Sequence, residues 1–231
     1  CLKAAAKLEN KELYEYVSGG KVTLPIPMMN IINGGKHANN DLDIQEFMIM
    51  PTVKTFKERL RAGSEIFHTL KKILNDMGCS TGVGDEGGFA PNLKNNEEAL
   101  ELIVKAIKES GYTPGNDVFI ALDVASSEIY NANTNTYSID GKKLNPTELT
   151  NYYISLIEKY PIVSIEDAFM EDDFESLAKL TSIIGSKIML VGDDYFVTNK
   201  KFLQKGIDNH AGNAILLKAN QIGTVTEMVD T

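Results

Sequence analysis

Three acidic residues end three successive apolar runs, and a lysine closes a fourth. The runs are FIALD (Phe119–Asp123), VSIED (Val163–Asp167), IMLVGDD (Ile188–Asp194) and AILLK (Ala214–Lys218). Asp123, Glu166, Asp193 and Lys218 stand 43, 27 and 25 residues apart, about one strand–helix unit per step. In a parallel β/α barrel, residues at the carboxyl ends of consecutive strands converge on one mouth. Three carboxylates there suit a hard divalent cation, usually Mg²⁺. A buried lysine beside the cation suits a base, because burial shifts an ammonium readily. The chemistry these residues point to is metal-assisted elimination.

The elements that must position them follow from periodicity and turn chemistry. Residues 1–17 have a helical pattern that Ser18-Gly19-Gly20 stops. PIPMMNIINGG and DIQEFMIMP predict two strands around a Gly- and Asn-rich connection, Asn33–Asp41. Thr55–Met77 predicts a helix with Phe56, Leu60, Phe67, Leu70 and Leu74 at helical spacing, followed by the glycine loop Gly82–Gly88. A helix over Asn96–Ser110, a strand over Val118–Val124 and a small hairpin over Tyr130–Lys143 come next, the hairpin marked by NANTNT and DG. Then the pattern is regular: helix 146–159, strand 162–166, helix 172–184, strand 187–192, helix 198–207, strand 213–218 and a helix from 223. Strands alternating with helices predict parallel pairing and right-handed crossovers, an α/β class. Both ends of the chain fall in helical patterns and fewer than eight strands are visible, which suggests an internal piece of a longer protein.

Composition narrows the function. The chain has 231 residues, 43% apolar and 24% charged, as expected of a globular protein with ample core. A net charge of −9 argues against nucleic acid, whose phosphates need a basic face. No apolar stretch approaches the ~20 residues of a membrane-spanning helix. The opening CLKAAAKLENKELYEY lacks a signal peptide's apolar core, and Cys1 and Cys79 read as free thiols, so a cytoplasmic location is expected. Six carboxylates crowd Glu166–Glu175. Glu171, Asp172, Asp173 and Glu175 read as a solvated helix start, whereas Glu166 and Asp167 directly follow an apolar strand.

Other motifs carry less. Gly82-Val83-Gly84-Asp85-Glu86-Gly87 matches a dinucleotide pattern formally, but a helix end precedes it and two carboxylates sit where pyrophosphate would bind. Its glycines would instead let tight turns present Glu86 inward. His37 lies in the polar loop NGGKHANN, His68 in a helix and His210 near a helix end, with no zinc spacing among them. No Cys–His pair or GxSxG elbow suggests a nucleophile. Gln45 and Glu46 form a polar pair between Ile44 and Phe47, which means either an edge strand or a strand facing a site.

Taken together, NGGKHANN, DIQEFMI, GDEGGFAPN, LDVASSE, SIED, GDDYFVTN and LLKANQIG resemble enolase in this order and spacing, across essentially the whole chain. The resemblance implies a truncated enolase barrel domain over residues 1–231, a partial TIM-like barrel with an irregular ββαα start. It implies reversible dehydration of 2-phosphoglycerate to phosphoenolpyruvate in glycolysis, with Mg²⁺, by a homodimer. By the same analogy Asp123, Glu166 and Asp193 hold the metal, Asp193 being favoured over Asp194, which would support it. Lys218 would be the base, its pKa lowered by neighbouring positive charge and partial desolvation. Glu86 would be the acid, helped by Glu46, and His37 and Gln45 would contact the substrate. Glu166, Asp193 and Lys218 would line the same substrate site.

Departures accompany the likeness. Ala168 follows SIED where the family has proline, and DDYFVTNKK replaces a pattern closer to DDLTVTNPK. The family's N-terminal domain with its serine loop, and its SHRSGE-like phosphate-binding segment with a second active-site lysine, have no counterpart here. The bare chain is therefore expected to be inactive or nearly so, with two raw strand edges. Two other functions compete: a superfamily member dehydrating a sugar acid, and a surface plasminogen binder, for which Lys142-Lys143 and Lys200-Lys201 are weak candidates.

Overall fold

Capping chemistry and apolar spacing set most of the elements. The computed structural model describes residues 1–20, 22–84 and 86–231. Asp85, one of the two carboxylates weighed against a dinucleotide, lies outside the described residues. The chain begins with α1 (Leu2–Leu8) and α2 (Leu13–Ser18), then β1 (Met29–Asn33), β2 (Glu46–Pro51), α3 (Phe56–Asp76), α4 (Asn96–Glu109) and β3 (Val118–Asp123). A small sheet follows: β4 (Tyr130–Asn131), β5 (Thr136–Ile139) and β6 (Lys142–Leu144). The remainder is α5 (Pro146–Lys159), β7 (Ile162–Glu166), α6 (Phe174–Ile184), β8 (Met189–Gly192), α7 (Lys200–Asp208), β9 (Ala214–Ile215), α8 (Ala219–Ile222) and α9 (Val225–Asp230). Among the described residues no helix is long and apolar enough to cross a membrane.

The main sheet runs β1-β2-β3-β7-β8-β9. Its first two pairings are antiparallel and its last three parallel. Two antiparallel strands, two helices and then β/α units reproduce the ββαα start expected from the sequence. The helices α5, α6 and α7 make the crossovers between parallel neighbours. Among the described residues the main sheet has six strands and does not close into a barrel. The β1 edge is not raw, however. Phe89 donates its N–H to Ile31 O and accepts from Asn33 N–H, closing that flank with strand-like bonds.

β3 is buried on both faces, with Val118, Ile120, Ala121 and Leu122 all inaccessible. Polar groups on such a strand can only stand at its ends. Helix starts are firmly fixed. Thr55 and Glu58 form a capping box on α3, and Asn145, Pro146 and Glu148 do the same for α5, each cap being worth about 1 kcal/mol.

Three expectations need correction. The single helix over 1–17 is two, because Asn10 adopts a left-handed φ of 52° and Glu12 with Glu15 caps a fresh start. Leu60 is 56% exposed. The buried stripe of α3 is Ala62, Ile66, Leu70, Ile73 and Leu74, and two residues along a helix is nearly half a turn away. The strand over 213–218 shrinks to Ala214–Ile215. Leu216 N–H still reaches Gly192 O, but Lys218 N–H leaves the ladder for the Thr198 hydroxyl.

Candidate active site

One side of the mouth is a floor of buried carboxylates. Asp123 ends β3, Glu166 ends β7, and the two are register partners. Asp123 accepts the Ala125 N–H at 3.1 Å and the Gln45 side-chain N–H at 3.2 Å. Burial, then repulsion from Asp167 and Glu46, pushes its carboxyl up to about 7. Burial, then the charges of Asp123, Asp167 and Asp193, pushes Glu166 up to about 9. Desolvation and like-charge repulsion both favour the protonated acid.

The carboxylates do not gather quite as the sequence suggested. Ligand atoms of Asp123, Glu166 and Asp167 lie within 4.8 Å of one another, as do those of Asp167, Asp193 and Asp194. Asp193 is thus in the neighbouring group rather than in one tight set with Asp123 and Glu166. Asp167 is common to both, yet its two oxygens are already engaged. They accept the N–H groups of Asp193 and Asp194, each at 3.0 Å. Asp167 thus holds the end of β8 in place. The grouped ligand atoms described at this end are carboxylate oxygens, crowded and poorly hydrated. A hard divalent cation fits such a set, and Mg²⁺ matches it in kind.

Lys218 caps α8 beside Asp193. Its Nζ is ion-paired with Asp193 Oδ2, and Gln221 donates to Asp193 Oδ1 at 3.3 Å. Its backbone N–H donates to Thr198 Oγ1 at 2.8 Å. Val197 and Thr198 have φ values of 41° and 52°, a left-handed pair of β-branched residues that stores strain where a side chain must be aimed. The lowering expected from the sequence needs the charge of a bound cation, and the protein groups alone act the other way. Burial pulls the ammonium down, but the hydrogen bond and charge of Asp193, with Glu166 and Asp194, outweigh it and hold Lys218 above the ordinary lysine value.

The opposite side is a wall built on loops. His37, Glu46 and Glu86 bring ligand atoms within 4.8 Å of one another, and His37 Nδ1 stands 3.2 Å from Glu46 Oε1. Glu46 opens β2 opposite Asp123, and burial raises its carboxyl although His37 pulls it down. Since β2 lies between β1 and β3, the edge-strand reading of Gln45 and Glu46 falls. The glycine loop carries Glu86 against the His37 loop. A Cβ on Gly84 would come within 2.7 Å of His37 O, so only glycine permits that approach. His68 and His210 are exposed and take no part. Sequence reasoning missed Thr198 and Gln221 altogether and left Asp167 without a role. Asp167's signal was its place directly after an apolar strand.

A largely parallel sheet with carboxylates at its strand ends and a lysine just beyond, faced by a histidine and two glutamates, points to a class: barrel enzymes of lyase or related chemistry whose acidic mouth could hold a metal. Residues 21–231 match the family described as "Enolase, C-terminal TIM barrel domain", and the chain belongs to that family. The match begins beyond α1 and α2.

Proposed function

We propose that this chain carries the catalytic mouth of an enolase, which reversibly dehydrates 2-phosphoglycerate to phosphoenolpyruvate in glycolysis. The observation that supports this best is Glu46. It pairs in register with Asp123, lies beside His37, and feels the charges of both Glu86 and Lys218. A side suited to a base and a side suited to an acid therefore share one space.

A proton on the carbon next to a carboxylate is very weakly acidic, because its loss adds charge to a group already charged. Asp123 and Glu166, with Asp193 from the neighbouring group, would hold Mg²⁺, whose charge would stabilise what develops on the substrate carboxylate. Lys218, in its neutral form, takes that proton on Nζ, and Thr198 fixes the backbone from which it reaches. The electron pair of the broken C–H bond forms the new C=C bond. Glu86, protonated, gives its proton to the hydroxyl on the next carbon, which leaves as water. Glu46 orients that hydroxyl, His37 contacts the substrate, and Gln45 contacts it while steadying Asp123. Homodimerisation and a cytoplasmic location belong to the same proposal and rest on the resemblance.

Phosphoenolpyruvate formation from 2-phosphoglycerate, with Mg²⁺ and with chelator, tests this reading. Chelator-sensitive product is expected once the family's N-terminal domain and phosphate-binding segment accompany these residues, and metal-independent product would overturn the reading, as would no product from such a protein that binds Mg²⁺. Lys218→Ala should abolish dehydration and also exchange of the substrate's acidic proton with solvent. Glu86→Gln should abolish dehydration while leaving exchange, and wild-type dehydration by that variant would end its assignment as the acid.

A further inference from the structure

The β4–β6 sheet stands apart from the main sheet, and the mechanism above makes no use of it. Its turn is Asp140-Gly141, with φ values of 47° and 69°, between the register partners Ile139 and Lys142. Two positive φ values in a two-residue hairpin loop are the type I′ shape that Asp-Gly favours. That shape sends the Asp140 N–H to Asp43 Oδ2 at 2.6 Å. The Asp140 carboxylate in turn accepts both the backbone and the side-chain N–H of Asn96 at 2.8 Å, and the Tyr152 hydroxyl at 2.8 Å. Asn96, fully buried, closes the circuit by accepting the Ile44 N–H at 3.2 Å.

Residues 43 and 44 are thus bound to the hairpin turn, to the start of α4 and, through Tyr152, to α5. The next two residues are Gln45 and Glu46. The same loop is pinned at its base, where Gly34 N–H donates to Gln45 O and Gly35 N–H to Leu42 O. His37 lies on the segment between those pins.

We propose that Asp140 is a positioning residue: through Asp43 and Asn96 it fixes the 34–45 loop and so sets where His37, Gln45 and Glu46 stand at the mouth. This rests on reading the mouth as the catalytic site. A half-buried acceptor with three donors, one of them on the fully buried Asn96, resists displacement, because abandoned donors there would be left without a partner. The hairpin then acts as an outrigger of the wall, reaching the mouth without contributing a reacting group.

Asp140→Gly removes the carboxylate while keeping the left-handed turn, and Asp140→Asn restores an acceptor that tolerates the same φ. The chain has three histidines, so their ring signals in NMR give a readout that needs no turnover. In Asp140→Gly the His37 signal should shift and amide exchange over residues 34–45 should quicken about tenfold or more, with His68 and His210 unmoved. The kcat/KM should fall about tenfold, and Asp140→Asn should recover most of both effects. An unmoved His37 signal with unchanged loop exchange overturns the proposal. So does a uniform shift of all three histidines with general loss of protection, which would make Asp140 merely structural. Should Asp140→Gly not fold, Asp43→Ala cuts the same tether, and the same His37-selective change is required of it. A selective His37 shift in a protein that does not dehydrate 2-phosphoglycerate would keep the tether and remove only the reaction assigned to the mouth.

Discussion

The floor and the wall of the mouth are held by different physics. Asp123, Glu166 and Asp193 sit at strand ends, where an apolar sheet fixes the backbone and leaves the carboxylates poorly hydrated. His37 and Glu86 ride on loops that glycines and side-chain tethers hold in place. The floor is more buried and electrostatically strained; the wall is less buried and held by tethers. The difference explains a division of labour. Burying like charges makes sense where a cation will neutralise them, and loops suit groups that must follow a substrate.

The largest effect should come from removing a floor carboxylate. Glu166→Gln should weaken Mg²⁺ binding, read by calorimetry, by about 100-fold or more, whereas His37→Ala should change it less than about threefold. The metal-free Glu166→Gln protein should also melt higher than wild type near neutral pH, because glutamine needs no proton to stay uncharged beside Asp123. Lower stability in that variant would mean that Glu166 is not repelled by its neighbours, and the contrast between the two sides would fail.

Titration gives the next effect. A carboxyl raised in the folded state keeps its proton where the unfolded chain has lost it, so the native state binds more protons and stability falls as pH rises. For Asp123 that window runs from 3.8 to about 7, and for Glu166 from 4.5 to about 9. Without divalent metal the melting temperature should drop from about pH 5 to pH 9, each kcal/mol being worth about 2–4 °C for a chain this size. Saturating Mg²⁺ should flatten the slope, and Asp123→Asn should make it shallower. A metal-free melting temperature that climbs over this range would contradict the buried repulsion.

Thr198→Val sharpens the boundary between the two sides. It keeps the shape and deletes the hydroxyl that accepts the Lys218 N–H, a loss of about 1–3 kcal/mol at a buried site. Turnover should fall about tenfold with Mg²⁺ affinity unchanged. A matching loss of affinity would show that Lys218 and the carboxylates move as one unit.

Much of the floor was legible in sequence for a physical reason. FIALD, VSIED and IMLVGDD each place an acid directly after an apolar strand, and period and length alone identify such a strand. The regular β/α run from Pro146 to Ile215 was legible for the same reason. Asp167 was visible but not interpretable, since its role is two backbone N–H bonds to residues 26 and 27 positions away. Thr198 and Asp140 were hidden more deeply, because both act through positive-φ turns whose partners no local pattern reveals. The wall came from resemblance rather than from spacing: a histidine in a polar loop looks the same whether or not a glutamate faces it. The split of residues 1–17 into two helices turned on one left-handed asparagine, a local event that apolar periodicity does not register.

The smallest effect should come from the most conspicuous surface contact of the wall. Lys36 on the His37 loop pairs with Glu128, but their side chains are 68% and 39% exposed. Water and salt screen such a pair, and holding two long side chains together costs entropy, so it is worth less than about 1 kcal/mol. The loop has stronger restraints: Asn40 donates to both Asn33 O and Pro91 O, and Asp43 accepts from the hairpin turn. Lys36→Ala should therefore leave melting temperature within about 2 °C and turnover within about twofold, at low and high salt alike. A large, salt-sensitive loss would mean that the wall is held from outside by charge rather than from beneath by hydrogen bonds, and the contrast with the floor would have to be drawn again on electrostatic terms.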